Sequence, residues 1–178
     1  MSAVLILPGL NGSGLEHWQT RWQRKLPGAR RVEEDDWDHP RCDAWIASLE
    51  RAVAASGPDT VLVAHSLGCL QIAHWAAVTK RSVRAALLVA PPDPELPSFP
   101  DAIQGFHPLP RAPLPFPSLL VASHDDPYSS FQFCSQLAAD WGSTLIDAGR
   151  CGHINAASGL GDWPFGQECL QRLLASAT

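Results

Sequence analysis

No stretch of about 18 consecutive apolar residues occurs in this 178-residue chain, so a membrane-spanning helix or stable membrane insertion is not expected. The opening run Ala3-Val4-Leu5-Ile6-Leu7-Pro8 has no basic residues before it and turns directly into glycines, so it reads as a first strand and not as a signal peptide. Cysteine pairing is missing too. Cys42, Cys69, Cys134, Cys151 and Cys169 are scattered and odd in number, without a C-x-x-C pair, which argues against a zinc site or a disulfide framework. Thiols packed as small core residues in a reduced, cytoplasmic setting fit this usage, with a reactive Cys151 near His153 as the alternative. Basic excess is absent: 13 Lys and Arg against 18 Asp and Glu give a formal charge of -5 and no general attraction to nucleic acid. The densest charge run, Glu33-Glu34-Asp35-Asp36, is expected to be a solvated loop, with a binding surface for a cationic partner as the sharper alternative.

The chain is 46% hydrophobic and carries seven Trp and six Phe, enough for one domain over 1–178 with a core that needs no metal or disulfide. Apolar segments at 4–7, 60–64, 83–89 and 119–122, with weaker ones at 30–33 and 144–146, read as strands. Helices are predicted over 16–26, where Trp18, Trp22 and Leu26 share a face, over 43–55 from Trp45, Leu49 and Val53, and over 67–78, 130–141 and 163–174. Strands apolar throughout, alternating with helices, imply an α/β fold with a mostly parallel sheet covered on both faces. Residues 91–117 break the rhythm, because ten of those 27 positions are proline and oppose helix or central strand. The strand–helix pattern resumes directly afterwards, so an ordered excursion over one end of the sheet is expected. Its Phe99, Ile103, Phe106, Leu109, Leu114 and Phe116 would then lie beside a site.

The chemistry gathers at the ends of these strands. Val61 to Ala64 runs into His65-Ser66-Leu67-Gly68, a strand delivering one serine into a sharp turn before a helix, as in G-x-S-x-G with Ala64 in place of the first glycine. Such a turn holds a hydroxyl clear of the sheet and aims helix N-terminal amides at developing negative charge. A serine needs a base, and the base needs an acid to fix its tautomer. Ser123-His124-Asp125-Asp126-Pro127 follows the 119–122 strand, and Gly152-His153-Ile154-Asn155 follows the 144–146 strand. His153 is the preferred base, and Asp126, stiffened by Pro127, the preferred acid; Asp125 stands behind it, with Asp147 and Asp93 as reserves. His65, His74 and His124 are read as structural. Backbone amides of Leu67 and Leu10 are expected to form the oxyanion hole, Gly9 and Gly12 letting the loop after the first strand come close. The spacing Gly9-x-x-Gly12-x-Gly14 fits neither a dinucleotide fingerprint nor a phosphate loop.

Taken together, LPGLNGSGLEHWQTRW at 7–22, DDWDHP at 35–40, AHSLG at 64–68, SHDDPYS at 123–129 and GHINAASGLGDWP at 152–164 make the chain resemble the small serine hydrolases of the retinoblastoma-binding protein 9 type and their bacterial relatives. The resemblance implies a compact α/β-hydrolase with Ser66 as nucleophile, Asp126 as acid, His153 as base, and Leu10 and Leu67 at the oxyanion. It also implies carboxylesterase chemistry on a small acyl ester without an inorganic cofactor. A lipase, a thioesterase, or a protein-interaction module on a hydrolase fold are the alternatives. His17, Trp18 and Trp37 belong to the same motifs and are read first as a helix-start or packing set.

Overall fold

A computed structural model of the chain describes residues 3–177. Six strands, β1 (Val4–Leu7), β2 (Ala29–Arg31), β3 (Val61–His65), β4 (Ala85–Val89), β5 (Ser118–Ala122) and β6 (Thr144–Asp147), pair in parallel in the order β2-β1-β3-β4-β5-β6. Five helices cover them: α1 (Trp18–Lys25), α2 (Cys42–Ser56), α3 (Leu67–Ala76), α4 (Phe131–Trp141) and α5 (Pro164–Ser176). Every predicted strand and helix is present, with shifted ends. The helix expected from 67 stops at Ala76, and the last helix starts at Pro164, whose fixed φ and missing N–H suit a first turn.

Side-chain alternation along the buried strands sorts the core into two layers. Leu5, Leu7, Leu62, Ala64, Leu88 and Leu120 pack with α2, α3 and α4, whereas Val4, Ile6, Val61, Val63, Leu87 and Val121 pack with α1 and α5. These faces are the ones that right-handed crossovers require, since β1 to β2 steps one way across the sheet and β3 to β6 steps the other. The reversal falls between β1 and β3, and the carboxyl ends of those two strands therefore open a crevice.

The proline-rich excursion does more than border that crevice. It joins β4 to β5 in place of a crossover helix, running the height of the sheet over α3. Its prolines cannot donate backbone hydrogen bonds; Leu96, Phe99 and Ile103 close short turns within it, and other groups find partners outside it. Gln104 N donates to Pro40 O (2.9 Å), and Gln104 O accepts from Cys42 N (2.9 Å) at the start of α2. His74 Nε2 donates to Phe106 O (3.0 Å) and Trp141 Nε1 to Pro110 O (2.9 Å). Of the six apolar residues expected beside a site, Phe99 and Ile103 line the crevice, while Phe106, Leu109, Leu114 and Phe116 pack into the core lower down. The expectation fails for those four because a parallel connection has to descend to the start of the next strand.

The acidic run at 33–36 is solvated apart from Glu34. The alternation begun in β2 continues through Val32 and Glu34, turning both inward, and Glu34 Oε1 accepts from Gln71 Nε2 (2.8 Å). Burial pushes its carboxyl up to about 7, against the smaller pull of hydrogen bonds from Ser48 and Gln71.

Candidate active site

Ser66 sits between the end of β3 and the start of α3 with φ 53° and ψ -123°, a strained conformation for a residue with a side chain. Two glycines make the turn possible. A Cβ on Gly68 would lie 2.4 Å from Leu7 O, and one on Gly9 would lie 2.9 Å from Ser66 Cβ, so the loop after β1 and the serine turn touch through backbone. Ala64, by contrast, is an ordinary strand residue whose methyl is fully buried in the layer of α2 and α3. The turn accommodates it because that methyl is packed within the core.

His153 lies in the loop after β6, and its imidazole joins two other residues. Nδ1 is 3.0 and 2.9 Å from the two carboxylate oxygens of Asp126, and Nε2 is 2.9 Å from Ser66 Oγ. The carboxylate accepts, which assigns the proton to Nδ1 and leaves the Nε2 lone pair facing the hydroxyl. Asp126 is only 2% exposed in its side chain and takes a further bond from Tyr128 N (2.9 Å). The ring of Tyr128 meets that of His153 edge-on at 4.6 Å.

Asp125 is the second candidate for the acid. Instead it holds the histidine loop: its Oδ1 accepts from Gly152 N (2.8 Å) and from Ser123 Oγ (2.9 Å), which itself accepts from Cys151 N (2.9 Å). These bonds, the Gly152 amide first, keep its carboxyl below the usual range. His65 Nε2 donates to His153 O (2.8 Å) and Trp18 Nε1 to Ile154 O (2.8 Å), so the loop is pinned on its other side as well. The bonds that reach the histidine loop had no signal in the sequence, since each spans at least 27 residues.

The two reserve carboxylates are engaged with other partners, although Asp93 also lines the cleft that Ser66 faces. Asp147 pairs with His124 (2.9 Å), which stacks on Phe131, and Asp93 accepts from Glu95 N (2.9 Å). Cys151 is half-buried against Ala148 O (3.1 Å), and burial raises its thiol, so nothing there activates it.

Leu10 and Leu67 are the first residues of a 3-10 turn (Leu10–Gly12) and of α3, so their N–H groups have no partner inside those helices. Both residues line a cleft of about 440 Å³ together with Ser66 and His153. The loop carrying Leu10 is fastened from beneath: Asn11 N donates to Trp37 O (3.0 Å), and the Arg31 guanidinium from β2 reaches Gly12 O and Thr20 Oγ1. Among the described residues no group of three or more His, Cys, Asp or Glu side chains is arranged to hold a metal ion, and no helix is long and apolar enough to cross a membrane.

A hydroxyl, an imidazole and a carboxylate in hydrogen-bonded series beside the first amides of two helical turns can transfer an acyl group. Comparison with known proteins agrees in kind. The profile of a family described as serine hydrolase matches residues 4–172. Among solved structures, a protein described as a YdeN-like hydrolase from Pectobacterium atrosepticum is 32% identical with a TM-score of 0.87, over 99% of this chain and 92% of that one. The ydeN gene product of Bacillus subtilis is 22% identical with a TM-score of 0.80, over 98% of this chain and 100% of that one. An esterase from Thermogutta terrifontis shares the fold at 14% identity and a TM-score of 0.70, over 99% and 90% of the two chains. No curated protein sequence matches.

Proposed function

The chain belongs to the serine hydrolase family, and from that membership we propose that it is a carboxylesterase of small esters acting through an acyl-enzyme on Ser66. The carrying observation is the unbroken series Asp126–His153–Ser66 opening onto the cleft. In the first step Ser66 Oγ attacks the ester carbonyl while its proton passes to His153 Nε2, and the amides of Leu10 and Leu67 receive the negative oxygen. Asp126 keeps Nδ1 protonated and stabilises the imidazolium. His153 then gives its proton to the leaving alcohol. Water, deprotonated by the same nitrogen, releases the acid and restores Ser66. The resemblance to the retinoblastoma-binding protein 9 type points the same way, and five unpaired thiols support a reducing, cytoplasmic setting. The half-buried Ser66 on the cleft wall favours catalysis over a purely binding role.

Labelling with a fluorophosphonate probe, located by mass spectrometry, tests this. Modification is expected at Ser66 and should disappear in Ser66→Ala and fall steeply in His153→Ala. Folded protein that neither labels nor hydrolyses short acyl esters would overturn the reading.

A further inference from the structure

Three consecutive residues in the loop after β1 have positive φ: Asn11 at 65°, Gly12 at 77° and Ser13 at 51°. Two of the three carry side chains, so the loop holds a conformation that its own backbone disfavours and its surroundings impose. Arg31, the last residue of β2, grips the carbonyls of this run. Its Nη1 donates to Gly12 O and, at 3.3 Å, to Ser13 O. Its Nη2 donates to Thr20 Oγ1 (2.7 Å) and, at 3.4 Å, to Ser13 O, while Nε donates to Gln23 Oε1 (3.0 Å). Thr20 Oγ1 in turn donates to Ser13 O (2.8 Å). All four acceptors are neutral oxygens, so the half-buried cation is met by dipoles at bonding distance and its bonds are charge-assisted. The opposite side of the loop is stitched as well: Ser13 Oγ donates to Gln19 Oε1 (2.7 Å), whose Nε2 donates to Leu7 O (3.0 Å) and Val63 O (3.2 Å) at the ends of β1 and β3.

From the Gly12 carbonyl to the site is a short path through rigid units. Gly12 N donates to Gly9 O (3.1 Å), closing the 3-10 turn. Gly9 C=O and Leu10 N–H belong to one planar peptide, so a bond that fixes the direction of the carbonyl also fixes the opposed direction of the N–H. That peptide lies against the serine turn, where a Cβ on Gly9 would be 2.9 Å from Ser66 Cβ and 3.1 Å from Leu67 N. Holding Gly12 in place therefore sets the tilt of the Leu10 N–H beside the Leu67 N–H. Trp37 limits sliding of the loop, since its carbonyl takes Asn11 N (3.0 Å) and its ring leaves no room for a Cβ on Gly12. Arg31 is outside the cleft lining and acts on the site only through this loop.

We propose that Arg31 is a positioning residue for acyl transfer: through the Gly12 carbonyl it fixes the direction of the Leu10 N–H that receives the oxyanion. The catalytic consequence rests on the acyl-enzyme reading, whereas the orientation itself does not. Arg31→Ala should lower kcat on p-nitrophenyl butyrate by about 10- to 100-fold, short of the loss that follows outright removal of an oxyanion donor. The hole serves acylation and deacylation alike, so both steps slow together and KM should stay within about three-fold. Residual dipolar couplings of 15N-labelled protein read the N–H direction itself. In Arg31→Ala the Leu10 coupling should change or average towards zero, while those of Leu67 and β1 keep their wild-type values. Thr20→Val leaves the guanidinium in place and removes only the hydroxyl between it and Ser13 O. It should show both effects in smaller measure, and it decides the matter if Arg31→Ala does not fold. An unchanged Leu10 coupling overturns the proposal even where hydrolysis falls, as does a changed coupling in an active enzyme whose kcat is retained. Leu10 and Leu67 couplings that change together also overturn it, because they report general loosening. A Leu10 coupling that changes alone upholds the orientation even if wild-type protein hydrolyses no ester, in which case the esterase reading alone fails.

Discussion

At the scale of single residues, two adjacent carboxylates do different work. Asp126 is enclosed with both oxygens on the imidazole, while Asp125 spends its carboxylate on the Gly152 amide and the Ser123 hydroxyl. Asp126→Asn would replace an acceptor with a donor at one oxygen and favour the wrong histidine tautomer, so kcat on short esters should fall by about 10³- to 10⁴-fold with little change in KM. Asp125→Asn keeps the Asp126–His153 contact and weakens only the tie to the loop. Its expected loss is roughly ten-fold, with a wider spread of His153 positions visible as reduced order in NMR relaxation. Equal losses in the two variants would contradict this division.

At the scale of elements, the serine turn depends on contact between backbones more than on the consensus glycine. Ala64→Gly would restore G-x-S-x-G, yet it removes a fully buried methyl and loosens β3. It should cost about 1–2 kcal/mol in urea unfolding without raising kcat/KM. Gly68→Ala is the opposite case. A methyl 2.4 Å from Leu7 O has to push α3 away from β1, and a displacement of that order should lower turnover by about 100-fold. The strand–helix rhythm was legible because every central strand is buried on both faces and so reads as an uninterrupted apolar run. Ser66 and Asp126 stood out as candidates because each follows such a strand, and His153 because it follows the weaker, partly exposed edge strand β6. What pins the histidine loop was not. His65, Ser123 and Asp125 act through backbone groups of Cys151, Gly152 and His153, and any residue type could supply those groups. Glu34 was missed for a related reason, since a charge run masks the strand-like alternation that turns one of its members inward.

The molecule as a whole carries buried ionisable groups of opposite tendency. His17 is lowered to about 3 and His65 well below its ordinary value, chiefly by burial, so the unfolded chain binds more protons than the folded one below about pH 6.5. Their contribution is complete above that pH and is lost on acidification. Glu34, raised from 4.5 to about 7, works the other way: its folded form keeps a proton that the unfolded chain releases, so stability declines as pH rises from 4.5 to about 7. Two histidines against one glutamate predict a net gain from pH 4 to 6.5 in thermal unfolding, followed by a shallower course. Glu34→Gln should raise Tm at pH 8 by more than at pH 5, and an equal shift at both would show that Glu34 does not titrate as described.

The helix-free link between β4 and β5 bears on how this scaffold can diversify. Beyond the tie of Asp93 N to Tyr128 O, residues 94–103 form the wall facing Ser66 before the chain is buckled to Pro40 and Cys42 at Gln104. From Gln104 onward the same link is a brace for α3 and α4. An insertion in the first stretch would remodel that side of the cleft and leave the brace intact, whereas one of equal length farther on would unbuckle the sheet's own closure. Latitude for new substrates is therefore concentrated in about ten residues.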